Sequence, residues 1–197
     1  MFLEKPINNN SQQGWIEVIT GSMFSGKTEE LIRRLKRAQL ANQKVDIYKP
    51  IIDFRYSKTN IVSHNSTTVL STAVESSSSI LLLTTDANIV GIDEAQFFDK
   101  EIVDVCNKLA NQGKRVIVAG LDMDFKGNPF GSMPQIMAIA EYVTKLQAIC
   151  MNCGNLASNS HRKSSTTNLI ELGETSNYEA LCRRCFNKQI SEKNATI

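Results

Sequence analysis

Gly21-Ser-Met-Phe-Ser-Gly26-Lys27-Thr28 decides the fold of this chain, because it fits the phosphate-binding loop pattern G-x-x-x-x-G-K-[ST] without a mismatch. Trp15-Ile-Glu-Val-Ile19 before it alternates like a β-strand, and residues 28–38 after it have the periodicity of an amphipathic helix. In such a context the loop N–H groups and the helix N-terminus both favour a phosphate anion. The stretch therefore predicts a P-loop at the start of an α/β domain.

The loop would supply several kinds of phosphate ligand. Lys27 could reach the β- and γ-phosphates of a nucleotide, and the Thr28 hydroxyl could ligate Mg²⁺. The alternative is a tight turn that carries Lys-Thr by coincidence, which the flanking strand and helix disfavour. The candidate phosphate-binding residues are Gly21, Ser22, Met23, Phe24, Ser25, Gly26, Lys27 and Thr28.

The composition fits one α/β domain of about 150 residues with a small appendage. The chain has 197 residues, 42% of them hydrophobic and 21% charged, and its net charge of +2 gives no argument for binding nucleic acid or a membrane. No apolar run approaches the ~18 residues of a membrane span. The first 13 residues lack the apolar core of a signal peptide. We therefore expect a cytoplasmic protein without disulfides.

Strands that alternate with helices predict a parallel sheet. Residues 80–83 could form a helix or a buried strand, and residues 51–68 are polar and aperiodic, as in a functional loop. The chain becomes rich in Cys, Asn and Ser near residue 149. We predict four segments: a mobile tail over 1–13, an α/β P-loop domain over 14–149, a cysteine-rich unit over 150–186 and a mobile tail over 187–197.

An acidic pair follows one of the apolar strands, Ile89-Val-Gly-Ile92. A P-loop enzyme needs a second acid for Mg²⁺ at the end of a neighbouring strand, and Asp93 is the candidate. Glu94 would then face the same cleft and could accept a proton from an attacking hydroxyl group. The alternative is that Asp-Glu only begins a loop.

Four of the five cysteines form two CxxC pairs, Cys150 with Cys153 and Cys182 with Cys185. Two such pairs provide the four thiolates of a closed tetrahedral zinc site, which has no open position and is therefore structural. A redox pair or an iron–sulfur cluster is the alternative. Cys106 lies on the apolar face of an expected helix and is interpreted as a core residue.

Two weaker patterns have structural as well as functional interpretations. The basic run Arg33, Arg34, Lys36 and Arg37 favours a solvated helix face over a nucleic-acid patch. Several aromatic residues lie just after strand ends, where α/β sheets bind ligands, although packing between loops would explain them equally. They are Phe97, Phe98, Phe125, Phe130 and Tyr178.

Taken in order, these motifs resemble the cellular-type (type II) thymidine kinases over residues 14–186. The resemblance rests on the P-loop, Asp53-Phe-Arg55-Tyr56, Asp93-Glu-Ala-Gln-Phe-Phe98, Gly120-Leu-Asp-Met-Asp-Phe125 with Pro129-Phe-Gly131, and the CxxC pairs joined by a loop that ends in Tyr178. Ala95 and Glu174 depart from glycines that are frequent in the family. Neither change removes a catalytic group.

The resemblance implies transfer of the ATP γ-phosphoryl group to the 5′-hydroxyl of deoxythymidine with Mg²⁺, and a zinc-held, lasso-like loop that closes over the nucleoside. It implies that Glu94 is the catalytic base. To the ATP site it adds Asp53, Arg55, Asp93, Glu94, Ala95 and Gln96. For thymidine it implies Met23, Phe97, Leu121, Phe125, Leu169, Ile170, Glu171, Leu172, Gly173 and Tyr178.

The family is typically a homotetramer inhibited by dTTP, so the resemblance implies these properties, with no nucleic-acid or membrane partner. Two other classes remain open. One is another P-loop NTPase with a structural zinc module that acts on nucleic acid, and the other is a nucleotide-gated regulatory protein without turnover. Glu94 beside Asp93 weighs against the second class.

Overall fold

Strands and helices alternate along most of the chain in a computed structural model that describes residues 13–51, 60–62, 68–84, 86–163 and 177–195. The strands of the described part are β1 (Trp15–Gly21), β2 (Val45–Pro50), β3 (Asn60–Val62), β4 (Thr68–Leu70), β5 (Thr72–Val74), β6 (Ile89–Ile92), β7 (Arg115–Gly120), β8 (Tyr142–Leu146), β9 (Ala148–Ile149), β10 (Leu156–Ala157), β11 (Asn159–Arg162) and β12 (Tyr178–Leu181). The α-helices are α1 (Lys27–Leu40), α2 (Ser78–Leu83), α3 (Ile102–Asn111), α4 (Met133–Ile139) and α5 (Arg183–Ala195), and Ala95–Phe97 forms a 3₁₀ turn.

Six strands form one sheet in the order β5-β2-β6-β7-β1-β8, and every pairing in it is parallel. The prediction of a parallel sheet is confirmed. Because helices cover both faces, strands such as β6 and β7 are buried along their whole length. The carboxyl ends of all six strands therefore lie at one edge, where the P-loop begins.

The two faces of the sheet have separate cores. Ile16 and Val18 of β1 pack with α2, α3 and α4, whereas Ile19 of β1 packs with the apolar face of α1. A Cβ at Gly91 of β6 would lie 2.8 Å from Leu35 Cδ1, so the absence of a side chain there lets α1 lie close to the sheet. The helix that begins at the P-loop thus packs directly over β6.

Cys106 lies in the core beneath α3, as the sequence predicts. Its side chain is fully buried, and this burial raises the pKa of its thiol to about 12. The thiol therefore stays protonated and apolar in character at neutral pH.

The cysteine-rich unit has a small apolar core of its own. Two antiparallel pairs, β9 with β10 and β11 with β12, pack with α5 around Ala157, Leu181 and Phe186. The chain expected as a tail from residue 187 is, as far as Ala195, the continuation of α5. Residues 1–12 of the expected N-terminal tail lie outside the described part of the chain.

Two other expectations are resolved differently along the chain. Residues 80–83, for which periodicity allowed either state, belong to helix α2. The segment 51–68, expected as an aperiodic loop, contains β3, which pairs antiparallel with β4, a strand that begins at the last residue of that segment. No helix of the described residues is long and apolar enough to cross a membrane.

The expectation that the basic run on α1 is a solvated face is wrong for Arg34. Its side chain is 1% exposed and pairs with Glu17 of β1 and Glu30 of α1, each at 2.8 Å. Glu17 is equally buried and also accepts a bond of 2.7 Å from Arg115 Nε of β7. The face of β1 toward α1 thus carries one carboxylate, and a buried charge of this kind requires cationic partners.

Candidate active site

The P-loop follows β1 at the carboxyl edge of the sheet, and its first residue must be glycine. Gly21 has φ +139°, and a Cβ there would lie 2.2 Å from the carbonyl oxygen of Leu146 on β8. Gly26, with φ +85°, precedes α1. Phe24 between them also has a positive φ of 63°, so the loop holds a conformation that side-chain-bearing residues rarely adopt.

Lys27 and Thr28 form the first turn of α1, beside the loop. Lys27 Nζ lies over the loop and donates to the carbonyl oxygen of Ser22 at 2.8 Å. Ser25 Oγ is buried and has no hydrogen-bond partner among the described residues. An ammonium group, a buried hydroxyl group and a helix N-terminus therefore converge on one concave loop, which is an arrangement that binds phosphate.

The acidic pair lies at the end of β6, on the same edge of the sheet. Asp93 is buried, and its Oδ1 accepts from the backbone N–H of Glu94 at 3.0 Å. Glu94 has a left-handed backbone, with φ 50°, which turns the chain sharply into the 3₁₀ turn. Backbone strain of this kind is common at functional sites. However, β6 does not adjoin β1, because β7 lies between them, so the expectation of a neighbouring strand is wrong.

Hydrogen bonds connect Glu94 to β1 across the intervening strand. Gln96 Nε2 donates to Glu94 Oε2, and Gln96 Oε1 accepts from the N–H of Leu121 at 3.0 Å, just beyond β7. Thr20 Oγ1 of β1 donates to the carbonyl oxygen of Gly120 at 3.0 Å. Gln96 therefore fixes the Glu94 carboxylate relative to the strand that leads into the P-loop.

The loop after β7 places Phe125 at its tip. Asp124 Oδ1 accepts from the backbone N–H groups of Lys126 and Asn128, at 2.8 and 2.9 Å. The N–H of Phe130 donates to the carbonyl oxygen of Asp122 at 3.0 Å and closes the base of the loop. This turn holds Phe125 toward the cysteine-rich unit.

Phe125 and Tyr178, both expected near thymidine, both contact Arg162. The guanidinium carbon of Arg162 is 3.8 Å from the centroid of the Phe125 ring. Its Nε and Nη2 donate to Tyr178 Oη at 3.1 and 2.8 Å. Arg162 was not among the residues predicted from the sequence, because an arginine in a short polar segment is usually solvated.

The cysteine-rich unit also contacts the P-loop directly. Ser160 Oγ of β11 accepts from the N–H of Met23 at 2.9 Å, and Ser22 Oγ donates to the carbonyl oxygen of Ala157 at 3.3 Å. Ser160 and Arg162 are two residues apart on one strand and therefore share a face. That face contacts both the P-loop and the loop that carries Phe125. Like Arg162, Ser160 was not predicted from the sequence.

The four cysteines of the two CxxC pairs converge as predicted. Their Sγ atoms all lie within 4.8 Å of one another, and those of Cys153 and Cys182 are 3.6 Å apart. Zinc with four thiolates at ~2.3 Å requires sulfur–sulfur separations of about 3.8 Å. The donor set and its spacing therefore fit a tetrahedral metal ion, and no position is left for a substrate.

Of the remaining predicted residues, some make contacts that have a structural explanation, and others lie outside the described part of the chain. Phe97 makes an edge-to-face contact with Phe130, at 5.7 Å between centroids, so packing between loops explains at least part of its position. Ala95 is buried in the 3₁₀ turn, and Leu121 follows β7 with its backbone bound to Gln96. The residues outside the described part of the chain are Asp53, Arg55, Leu169, Ile170, Glu171, Leu172 and Gly173.

Comparison with known proteins gives the same family that the motifs suggested. A family profile for thymidine kinase matches residues 14–186. The thymidine kinase of Bacteroides thetaiotaomicron is 57% identical over 197 residues, which cover 100% of this chain and 99% of that protein. The thymidine kinase of Bacteroides fragilis is 58% identical over 98% of this chain and 96% of its own. That of Porphyromonas gingivalis is 51% identical over 99% of this chain and 100% of its own.

Among solved structures, the Legionella pneumophila ATPase DotB superposes with a TM-score of 0.39 and 17% identity, over 66% of this chain and 35% of that chain. A likeness so weak supports no conclusion about activity. The sequence relatives, by contrast, match along nearly the full length of both partners, and the family profile spans both the P-loop domain and the cysteine cluster. The chain therefore belongs to the thymidine kinase family.

Proposed function

We propose that this ATP-dependent deoxythymidine kinase holds the ATP phosphates on residues 21–28 and uses Glu94 as the base that accepts the proton of the 5′-hydroxyl group. One observation carries the proposal: the Glu94 carboxylate is tied through Gln96 to the end of β7, which is tied in turn to Thr20 of β1. Phosphoryl transfer depends mainly on positioning and charge neutralisation. A base fixed relative to the phosphate loop meets the first requirement.

The proposed reaction forms one bond and breaks one. The 5′-oxygen of deoxythymidine bonds to the γ-phosphorus as the bond from that phosphorus to the β–γ bridging oxygen breaks, which gives dTMP and ADP. Glu94 takes the hydroxyl proton, and Lys27 neutralises charge on the phosphates. Thr28 and Asp93 are the residues that would hold Mg²⁺ with the nucleotide, and this ion would add further neutralising charge.

The nucleoside would lie between the P-loop domain and the cysteine-rich unit. Support comes from Phe125 and Tyr178, which belong to the two units and both contact Arg162, and from Ser160, which accepts a hydrogen bond from the P-loop. Zinc on Cys150, Cys153, Cys182 and Cys185 would close the segment 154–181, which includes the predicted lasso. The metal would thereby hold the acceptor side of the site in place but would take no part in the chemical step.

Two substitutions test the roles assigned to the P-loop domain, and we expect them to change kcat and the ATP KM in different ways. Glu94→Gln retains the size and hydrogen bonding of the side chain but cannot accept a proton, so kcat should fall about tenfold or more while the ATP KM stays near normal. Lys27→Ala removes charge from the ground state and the transition state, so it should weaken both ATP binding and turnover. Near-normal turnover by the Glu94→Gln enzyme would contradict its role as the base.

For assembly and regulation we expect what the family resemblance implies, a homotetramer that dTTP inhibits. A homotetramer is supported by large apolar side chains that stand mostly in solvent, with Leu40, Leu70 and Leu82 at 84%, 79% and 81% exposure. Light scattering should give four chains per particle, and a monomer would contradict this. Inhibition by dTTP should be competitive with thymidine or with ATP, and activity unaffected by millimolar dTTP would contradict it.

Within the described part of the chain, no observation favours the nucleic-acid-dependent alternative. Arg34, one of the four residues of the basic run, is buried in ion pairs, and Arg33 is paired with Glu30 at 2.7 Å. These two arginines therefore do not belong to a free basic patch. The cytoplasmic location expected from the sequence remains a prediction, which fractionation of the cells could test.

A further inference from the structure

The strand β11 is unusual because four polar residues in a row are buried. Asn159, Ser160, His161 and Arg162 are 9%, 4%, 3% and 1% exposed. Successive side chains of a strand face opposite sides, so both faces of β11 must be covered. His161 faces the side of Phe186 and α5, with ring centroids 6.2 Å apart, whereas Ser160 and Arg162 face the P-loop domain.

Arg162 is the most completely buried of these residues, and its contacts join three segments. Phe125 comes from the loop after β7, Tyr178 begins β12, and Arg162 ends β11. A guanidinium group donates in a fixed planar fork, which a single hydroxyl oxygen can meet with two bonds. The geometry therefore restricts both the tilt of the Tyr178 phenol and the position of the Phe125 ring.

The contacts are of the kind that orient aromatic rings. A cation over a ring face is attracted by the ring quadrupole, and the attraction is greatest where water is excluded, as it is around a side chain that is 1% exposed. Hydrogen bonds from a charged donor are also stronger than neutral ones. Arg162 makes its shorter cation–ring contact with Phe125 and its hydrogen bonds with Tyr178, and its guanidinium carbon also lies 5.4 Å from the centroid of the Tyr178 ring.

We infer that Arg162 is a positioning residue of the nucleoside site, which sets the affinity for deoxythymidine by holding Phe125 and Tyr178 in place across the junction of the two units. The inference rests on the proposed function, in which those two rings flank the nucleoside. Arg162 acts through the rings, and the P-loop is engaged separately by Ser160. Loss of Arg162 should therefore affect the acceptor far more than ATP.

Steady-state kinetics of two variants test this inference. Arg162→Met retains the length of the side chain but removes the charge and the donors, so the KM for deoxythymidine should rise about tenfold or more. Arg162→Lys keeps a cation near Phe125 but loses the planar fork, so it should raise that KM by a smaller factor, about threefold. In both variants the ATP KM should stay within about twofold of wild type, with kcat little changed and one zinc ion retained per chain.

Lys188→Met is the matched control, because it also replaces a cation by methionine in the same unit, at a position of α5 that is 70% exposed and lies outside the CxxC pairs. It should leave both KM values unchanged. A double-mutant cycle adds a second readout: Arg162→Lys and Tyr178→Phe should be less than additive in their effect on the thymidine KM, since both disrupt the same hydrogen bonds.

The outcomes separate this inference from the proposed function. A wild-type enzyme that does not phosphorylate deoxythymidine would overturn the proposed function itself. If the wild type is active, an unchanged thymidine KM in Arg162→Met would overturn the inference. Equal increases in both KM values with loss of zinc would do so too, because they indicate a general structural role. If Arg162→Met does not fold, Arg162→Lys decides: a selective rise supports the inference, and an unchanged KM contradicts it.

Discussion

Replacement of Arg34 by methionine should destabilise the fold far more than the same change at Arg33, its neighbour on α1. Arg34 loses bonds to Glu17 and Glu30, each at 2.8 Å, and a bond of 3.0 Å to Thr144 Oγ1. Glu17 is left 1% exposed with one cation instead of two. Breaking a buried ion pair from one side costs about 3–5 kcal/mol.

The lower limit of about 3 kcal/mol applies to Arg34→Met, because Arg115 continues to neutralise Glu17 through bonds of 2.7 and 3.1 Å. For a chain of this size the loss corresponds to a melting temperature about 6–12 °C lower. Arg33, whose side chain is 49% exposed, makes a surface pair with Glu30, and such pairs contribute less than about 1 kcal/mol. Arg33→Met is therefore the matched control.

Denaturant unfolding followed by fluorescence measures the difference, because the single tryptophan, Trp15, belongs to the same network. Its indole N–H donates to Glu17 Oε1 at 2.7 Å. Protein concentration must be equal for all variants, since assembly also stabilises a folded chain. If the free energies of unfolding of Arg34→Met and Arg33→Met differ by less than about 1 kcal/mol, the buried pairs of Arg34 stabilise the fold no more than a surface pair does.

Three further predictions concern pH, the metal and a glycine. The hydrogen bond from Arg33, together with that from Arg34, lowers the pKa of Glu30 from 4.5 to about 2. The wild type should therefore be more stable than Glu30→Gln above pH 4.5, and this difference should be lost as the pH falls toward 2. Unfolding measured as a function of pH tests this. Cys182→Ser should lower the zinc content and the affinity for thymidine, while ATP still binds. An unchanged thymidine KM would show that the metal does not shape the acceptor site. Gly131→Ala should reduce both activity and melting temperature, because φ is +53° and the new Cβ would lie 2.3 Å from the carbonyl oxygen of Gln96; wild-type behaviour would contradict this.

Local sequence patterns predicted the structure correctly where a segment's conformation depends on its own residues. The P-loop, the strand before it and the helix after it could be predicted because glycine spacing and apolar periodicity act over a few residues. The convergence of the four cysteines could also be predicted, since two CxxC pairs have few uses other than a shared metal ion.

Arg34 shows why the solvated-face prediction failed. Arg34 belongs to a basic run on α1 that is typical of a solvated helix face. Its buried partner, Glu17, lies on a strand that is buried on both faces, and the pairing depends on the packing of α1 against that strand. A glutamate within a mostly apolar strand was the available signal, because a buried carboxylate requires a cation. The sequence does not indicate which cation provides it.

Arg162 and Ser160 could not have been found from their own segment. Arg162 contacts Phe125 and Ser160 contacts Met23, and both partners are distant in sequence and lie in the other unit. Similarly, nothing in the sequence predicted that β7 would separate the acidic strand β6 from β1. Strand order depends on how helices pack on the sheet, which short patterns do not encode.

The most direct test of the proposed activity is transfer of a labelled γ-phosphate from Mg·ATP to a panel of deoxynucleosides by the wild-type protein, with Glu94→Gln as the paired control. We predict that dTMP forms, that deoxycytidine and the purine deoxynucleosides are poor acceptors, and that the control forms about tenfold less dTMP or lower still. No dTMP, or equal rates with deoxycytidine, would contradict the assignment of this site to deoxythymidine phosphorylation.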